Sequence, residues 1–341
     1  GNAGTFTNTG TSSITPGASP GRMIIDGNAV FGAGTRTVLE LGGRAANQND
    51  LLGITHRFAA GGTLAIVPWL AFAAVANDEF SVMSWGERTR MFDEAEGLDV
   101  FYGVALDPIF TDAGLSLMAK AITADGTAGN DILTGTGSDD VLVGRDGNDV
   151  LDGGAGSDLL LGGTGYNKFI GGAGADRLIG GTGQDTADYS RDAGSISVDL
   201  NLGTGTDAAG DVDTLISIEH LLGSSYDDIL IGSDEDNILT GGLGADTLTG
   251  GAGSDTFVLR NASEGGDSIT DFISGEDRIF LDGDFGFSQD FVQAGINFSV
   301  VEAFGGENAG ANEAFASGQA ALIFSMADNT LYYDPNGAGA G

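Results

Sequence analysis

Acidic or amide side chains stand nine residues apart in two runs. Asp131, Asp140, Asp149, Asp158, Asn167, Asp176 and Asp185 form the first run; Asp228, Asn237, Asp246 and Asp255 form the second. A glycine stands five residues before each of them. Carboxylates in such numbers suit either proton transfer or the binding of a hard cation. A catalytic pair needs two positioned acids, whereas a strict period asks for a repeated structural role. The period therefore favours metal binding, and paired-acid catalysis is set aside.

The period defines seven nine-residue units over 126–188 and four over 223–258. Position one is always glycine, position six is Asp or Asn, and position eight is apolar in every unit from Leu133 to Phe257. A glycine-rich turn followed by three residues of strand accounts for this. Alternate strand residues face opposite sides, so position eight points inward and positions seven and nine outward. Two units make one turn of a flattened coil, and units n and n+2 stack at ~4.8 Å. Glycine accepts positive φ at little cost and lets carbonyls turn toward a common centre. Carbonyl and carboxylate oxygens between stacked turns suit Ca²⁺, which takes six to eight such ligands; Mg²⁺ demands a stricter octahedron.

The motif G-G-x-G-x-D-x-apolar-x, complete in GGAGSDLLL and GGAGADRLI, resembles the RTX, or haemolysin-type, calcium-binding repeat. The segments VDTLISIEHLLGSSYDD and DSITDFISGEDRIFLDG resemble what accompanies such repeats, so the likeness spans 126–341. It implies side-chain ligands at Asp131, Asp140, Asp149, Asp158, Asp176 and Asp185, then at Asp228, Asp246 and Asp255. Asn167 and Asn237 would keep an oxygen but lose the charge, and the cages flanking Asn167, beside Lys168, would bind more weakly. Asp146 and Asp234 at position three add carboxylates, and Asp271 with Asp277 would close a terminal site. Stacked pairs then give about seven Ca²⁺ sites. The resemblance also implies type I secretion from a Gram-negative bacterium, with folding where Ca²⁺ is near millimolar. In that family the export signal lies at the extreme C-terminus; this sequence stops at GAGAG, and the signal is expected to lie beyond it.

The elements holding these residues read as all-β: a parallel β-solenoid followed by a Ca²⁺-binding parallel β-roll. Residues 1–125 form the solenoid end module, 126–188 and 223–258 the two roll blocks, 189–222 an insert and 259–341 a cap or tail. In 1–125, runs such as MIIDGNAVF and TRTVLELGG lie between Gly, Asn and Pro turn signals. TDAGLSLMAKAI fits a short helix or a strand. This half resembles the last turns of a β-helical autotransporter or adhesin passenger. On one side of the first block, outward positions Val141, Val143, Leu159, Leu161 and Ile179 are apolar, with Arg177 among them. Such a stripe is expected to pack on later segments of the chain or on a neighbouring molecule.

Composition excludes other classes. The net charge is −36, and residues 126–341 carry −30 of it, with 36 acids and 6 bases. With two lysines in all, a nucleic-acid or anionic-membrane surface is not expected. There is no Cys, hence no disulfide or thiolate site. The longest apolar run, Leu64–Ala76, contains Pro68 and is too short to span a bilayer. His56 and His220 lie outside any H-E-x-x-H, and no G-x-S-x-G elbow, Walker loop or EF-hand occurs. His220 reads as part of a structural turn. The opening Gly1-Asn2-Ala3-Gly4 reads as the interior of a longer protein. The sequence thus points to an extracellular or cell-surface calcium-binding structural or adhesive protein, not an enzyme. It would partner Ca²⁺, copies of itself, or a cell-surface glycan or protein. The alternative is the secretion and stability module of a type I-secreted enzyme; a pore-forming toxin ranks third, lacking amphipathic helices.

Overall fold

Strands form wherever an alternating run lies between turn residues. Over Thr35–Leu41 every second side chain is buried and the others face outward, as expected of a strand with one face on a core. The computed structural model describes residues 4–8, 11–16, 21–41, 49–68, 74, 76–96, 98, 104–260, 264, 266–273, 276–281, 298–301, 321–325 and 330–334. Among these no helix forms, so none is long and apolar enough to cross a membrane. Strand β8 below takes up the start of the Leu64–Ala76 run; residues 69–73 and 75 lie outside the described set.

Eleven strands build the solenoid: β1 (Gly4–Asn8), β2 (Ser12–Ile14), β3 (Arg22–Ile25), β4 (Gly27–Phe31), β5 (Thr35–Leu41), β6 (Leu51–Ile54), β7 (Arg57–Ala59), β8 (Thr63–Pro68), β9 (Glu79–Ser84), β10 (Glu87–Arg90) and β11 (Glu94–Glu96). They stack as three parallel sheets, ordered β1-β4-β7-β10, β2-β5-β8-β11 and β3-β6-β9. Each turn of chain adds one strand to each face. Phe31, Phe58, Trp85 and Phe92 pack inside, with Phe31 and Phe58 edge to face at 5.1 Å. An antiparallel hairpin, β12 (Val104–Thr111) and β13 (Gly114–Ala121), closes the third sheet against β9. The ambiguous TDAGLSLMAKAI is therefore largely strand.

The nonapeptide units wind as a flattened coil. In the first block, β14 (Ala124–Asp125), β16 (Val141–Asp146), β18 (Leu159–Thr164) and β20 (Arg177–Thr182) form one parallel sheet. The facing sheet holds β15 (Ile132–Thr134), β17 (Val150–Ala155), β19 (Lys168–Ala173) and β21 (Thr186–Asp188). Partners are offset by two units, as in Ile132 with Val150 and Leu159 with Arg177. Position eight fills the interior: Leu142, Leu151, Leu160, Phe169, Leu178 and Ala187 are all buried. After β22 (Ser197–Asp199), β23 (Thr204–Thr206), β24 (Val212–Ile216) and β25 (His220–Leu222), the second block repeats the arrangement. There β26 (Ile229–Ile231), β28 (Thr247–Thr249) and β30 (Ser268–Ile269) stack on β22, while β27 (Ile238–Thr240), β29 (Thr256–Leu259) and β31 (Arg278–Leu281) stack on β25. His220 opens β25 and does not sit in a turn, because its segment supplies a rung. Strands β32 (Phe298–Val301), β33 (Ala321–Ser325) and β34 (Thr330–Asp334) pair in the tail.

The chain divides into two compact units. One holds residues 1–187, 200–205 and 211–218; the other holds 188–199, 206–210 and 219–341. Residues 189–222 are thus shared between them. Within the first unit, solenoid and roll have one hydrophobic core. The stripe Val141, Val143, Leu159, Leu161 and Ile179 is buried and clusters with Leu98, Leu106 and Leu117. The stripe is covered as expected, but by the solenoid that precedes it; of the later chain, Ile216 joins the same cluster as the next rung beside Ile179. Ala95 and Leu98 line one small cavity with Leu161 and Ile179, which explains the direction. Arg177, the charged member of the stripe, reaches the buried Asp107 of β12 at 3.0 Å, and Lys120 of β13 meets the same carboxylate at 3.1 Å.

Candidate metal centre

Position six forms a ladder. One carboxylate oxygen of each rung accepts the backbone N–H of position six one turn earlier. Asp149 accepts from Asp131, Asp158 from Asp140, Asp176 from Asp158 and Asp185 from Asn167. In the second block Asp246 accepts from Asp228 and Asp255 from Asn237. These bonds measure 2.7–2.9 Å. They fix each aspartate with one oxygen engaged and the other turned back over its own loop.

That second oxygen decides the chemistry. The Oδ2 atoms of Asp149, Asp158, Asp246 and Asp255 are buried and accept no hydrogen bond. An unmatched buried anionic oxygen costs several kcal/mol, and a cation relieves that cost. The position-one glycine leaves the room: a Cβ on Gly144, Gly153, Gly241 or Gly250 would overlap the carboxylate of its own unit. Among the described residues no three acidic or imidazole side chains gather into one cluster. Each cradle therefore takes its carboxylates singly or in pairs, and backbone carbonyls would supply the rest of the shell. Hard, anionic and buried, these oxygens fit Ca²⁺. A bound Ca²⁺ would supply the positive charge that lets the buried carboxylates stay ionised.

Electrostatics agree. Burial pushes the Asp149 and Asp158 carboxyls up from their ordinary range, against the N–H bonds that pull them down. Burial drives Asp185 to about 7, and Asp246 and Asp255 to about 6. At Asp140 burial also raises, but hydrogen bonds from Thr136 and Thr123 outweigh it and the carboxyl falls.

The remaining residues singled out by sequence take varied places. Asp131 heads the first stack and is half-buried. Asp146 is exposed and accepts from the Thr164 hydroxyl at 2.9 Å; Asp234 is exposed too. Asp271 accepts the N–H groups of Gly250 and Gly251, engaging both oxygens in a backbone cap. Three ladder members fall outside the nine-residue period. Asp213 accepts from Asp176 across 37 residues, Asp267 from Asp246, and Asp277 from Asp255. Asp267 rises to about 8 through burial and its acidic neighbours. Asp213 heads D-T-L-I, with Leu215 buried like a position-eight residue; that short likeness is the signal that could have found it.

The two asparagines are not equivalent. Asn167 Oδ1 accepts the Asp149 N–H at 3.0 Å, so its Nδ2 faces Gly162, where other rungs hold an oxygen. Turning the amide over would set two donors against each other. Asn167 thus directs an NH₂ group, without a lone pair for a cation, into its cradle. Asn237 is turned the other way. Its Oδ1 faces Gly232 and accepts from Ser233, while its Nδ2 donates to the Glu219 carbonyl at 2.9 Å.

Residues 125–160, 152–187 and 222–257 match the family model of the RTX calcium-binding nonapeptide repeat. The two blocks are RTX calcium-binding repeats. Among solved structures, the chain is similar to the extracellular lipase LipA from Serratia marcescens, with 20% identity over 46% of this chain and 31% of that one, at a TM-score of 0.16. The likeness thus spans under a third of that lipase's length, and a score so low carries no further argument. No curated protein matches. The RTX repeats cover the ladder from Asp131 to Asp255, while Asp213, Asp267 and Asp277 extend it beyond the matched segments.

Proposed function

We propose that this chain is a calcium-rigidified structural module of an exported protein, serving at the cell surface of a Gram-negative bacterium as a stalk, layer or adhesin element. The observation that carries this reading is the set of buried, unmatched oxygens on Asp149, Asp158, Asp246 and Asp255. They make the roll's fold conditional on a divalent cation. Outside the cell, near-millimolar Ca²⁺ suits the ~10⁻⁴–10⁻³ M affinities of extracellular modules. A shared core passes that rigidity to the solenoid. No catalysis is assigned to the chain: its periodic carboxylates serve the ladder. Copies of the chain, or a cell-surface glycan or protein, would dock elsewhere than the apolar stripe, which the solenoid covers.

The test is a Ca²⁺ titration of the full chain followed by circular dichroism and light scattering together. Folding with ordered assembly supports the surface-scaffold reading. Folding to a lasting monomer would leave the roll intact but favour a stability module serving an enzyme on the same polypeptide. A full β signature in excess chelator would overturn calcium-dependent folding.

A further inference from the structure

The opening unit on each side of each block differs from those behind it. Position two is Thr127, Thr136, Ser224 or Ser233 there, and glycine or Arg145 in the seven later units. Each of these four residues closes on its own unit. Its backbone N–H donates at 2.6 Å to the position-six oxygen: Thr127 to Asp131, Thr136 to Asp140, Ser224 to Asp228 and Ser233 to Asn237. Its hydroxyl reaches the same side chain. That hydroxyl also accepts the N–H two residues further on. The oxygen left bare in Asp149, Asp158, Asp246 and Asp255 is in these units already occupied by the position-two N–H, joined by the hydroxyl at Asp131, Asp140 and Asn237; at Asp228 the Ser224 hydroxyl goes to the other carboxylate oxygen.

Topology explains the difference. In later units position two takes positive φ, 98° at Gly172 and 100° at Gly163, and lies so near the position-two carbonyl of the turn before that a Cβ there would overlap it. Arg145 adopts φ 79° in the same place. An opening unit has no earlier glycine turn beside it, so its position two folds inward, as Ser and Thr do at helix N-caps. Position five adds a second link, which Asn148 of a later unit also makes to Tyr166. Asn130, Asp139, Asp227 and Asp236 each accept the backbone N–H of position five one turn on. The opening units are thus joined to their successors by side-chain hydrogen bonds.

We propose that these four opening units are metal-independent caps, and that calcium binding through position six begins one turn later, at Asp149 and Asp158 in the first block and at Asp246 and Asp255 in the second. The proposal rests on the calcium reading of the repeats and deepens it by assigning different work to units that sequence alone makes equal ligands. The asparagines fit. Asn237 lies in a cap, where its oxygen still accepts from Ser233. Asn167 lies in a later unit, where its amide turns a donor inward.

The test counts bound Ca²⁺ per full chain by native mass spectrometry at saturating Ca²⁺, with circular dichroism as the folding control. Asp140→Asn and Asp228→Asn should bind as many ions as the wild type. Asp158→Asn and Asp246→Asn keep an oxygen for the ladder but should each lose at least one ion. Equal losses in the two pairs would overturn the cap assignment, whereas a wild type that binds no Ca²⁺ would overturn the calcium reading itself. Should a cap variant fail to fold, hydrogen exchange in Ca²⁺-loaded wild type decides. The Thr136 and Ser224 amides should be protected, and exchange at open-loop rates would refute the caps.

Discussion

Solenoid and roll are both stacks of short parallel strands, yet they are held together differently. The solenoid buries large side chains from three faces, with Phe31, Phe58 and Phe80 among its fully buried residues. The roll buries one position-eight side chain per half-turn and, beside it, an acidic ladder. Apolar burial alone stabilises the first at about 25 cal/mol per Å². The second has less apolar surface and carries buried charge that opposes folding until it is neutralised. A coil can therefore trade core thickness for bound cations, and the trade makes its stability depend on the medium.

The largest effect should come from chelation. It should erase the roll's β signature, and Trp85, inside the solenoid, should respond in the same transition because the two share a core. In a Trp69→Phe background, Trp85 fluorescence and circular dichroism should superimpose across a calcium titration. Two separate transitions would break the link between the regions. Next is the acid limb. Asp185, Asp246, Asp255 and Asp267 have folded-state carboxyls raised to about 6–8, above the unfolded value of about 3.9. The metal-free fold therefore holds protons that the unfolded chain releases. This contribution is full below about pH 4 and lost as pH rises through 6 to 8. In chelator, acidifying to pH 4 should restore β structure by circular dichroism; equal disorder at pH 4 and pH 8 would contradict it.

A smaller effect should follow from Arg177→Ala, which leaves Asp107 buried with Lys120 alone. Loss of about 2 kcal/mol in a urea melt at saturating Ca²⁺ is expected, below the ~3–5 kcal/mol of a fully broken buried pair because Arg177 is partly exposed and Lys120 stays on Asp107. No change would mean the seam between solenoid and roll is purely apolar. Smallest should be Asn167→Asp, which replaces the inward NH₂ by an oxygen. At tenfold excess over its Kd the new site should add about 1.4 kcal/mol, read as a higher melting temperature in Ca²⁺ but not in chelator.

The sequence made the roll legible because its period is short and each position has one physical task. Glycine at one, an oxygen at six and an apolar side chain at eight predict the offset between Ile132 and Val150. The solenoid could be read as strands but not as three faces, since its turns vary in length. What covered the stripe was hidden because Val141 and Leu159 show only that a partner exists. Asp213 escaped because no glycine turn precedes it at the regular distance, although its D-T-L-I has the right chemistry. The orientation of the Asn167 amide depends on Asp149 of the previous turn, a neighbour that no local pattern reveals.

Asp213 has a consequence for how such proteins can grow. Its rung follows Asp176 in space although 36 residues intervene in the chain. The coil accepts any segment that brings an acid, an apolar residue two places on and a free strand edge. New sequence can thus be spliced between neighbouring rungs without shifting the rest out of phase. This makes the junction after Asp188, where the regular units of the first block end, a natural port for grafting a loop of foreign sequence into an otherwise regular coil.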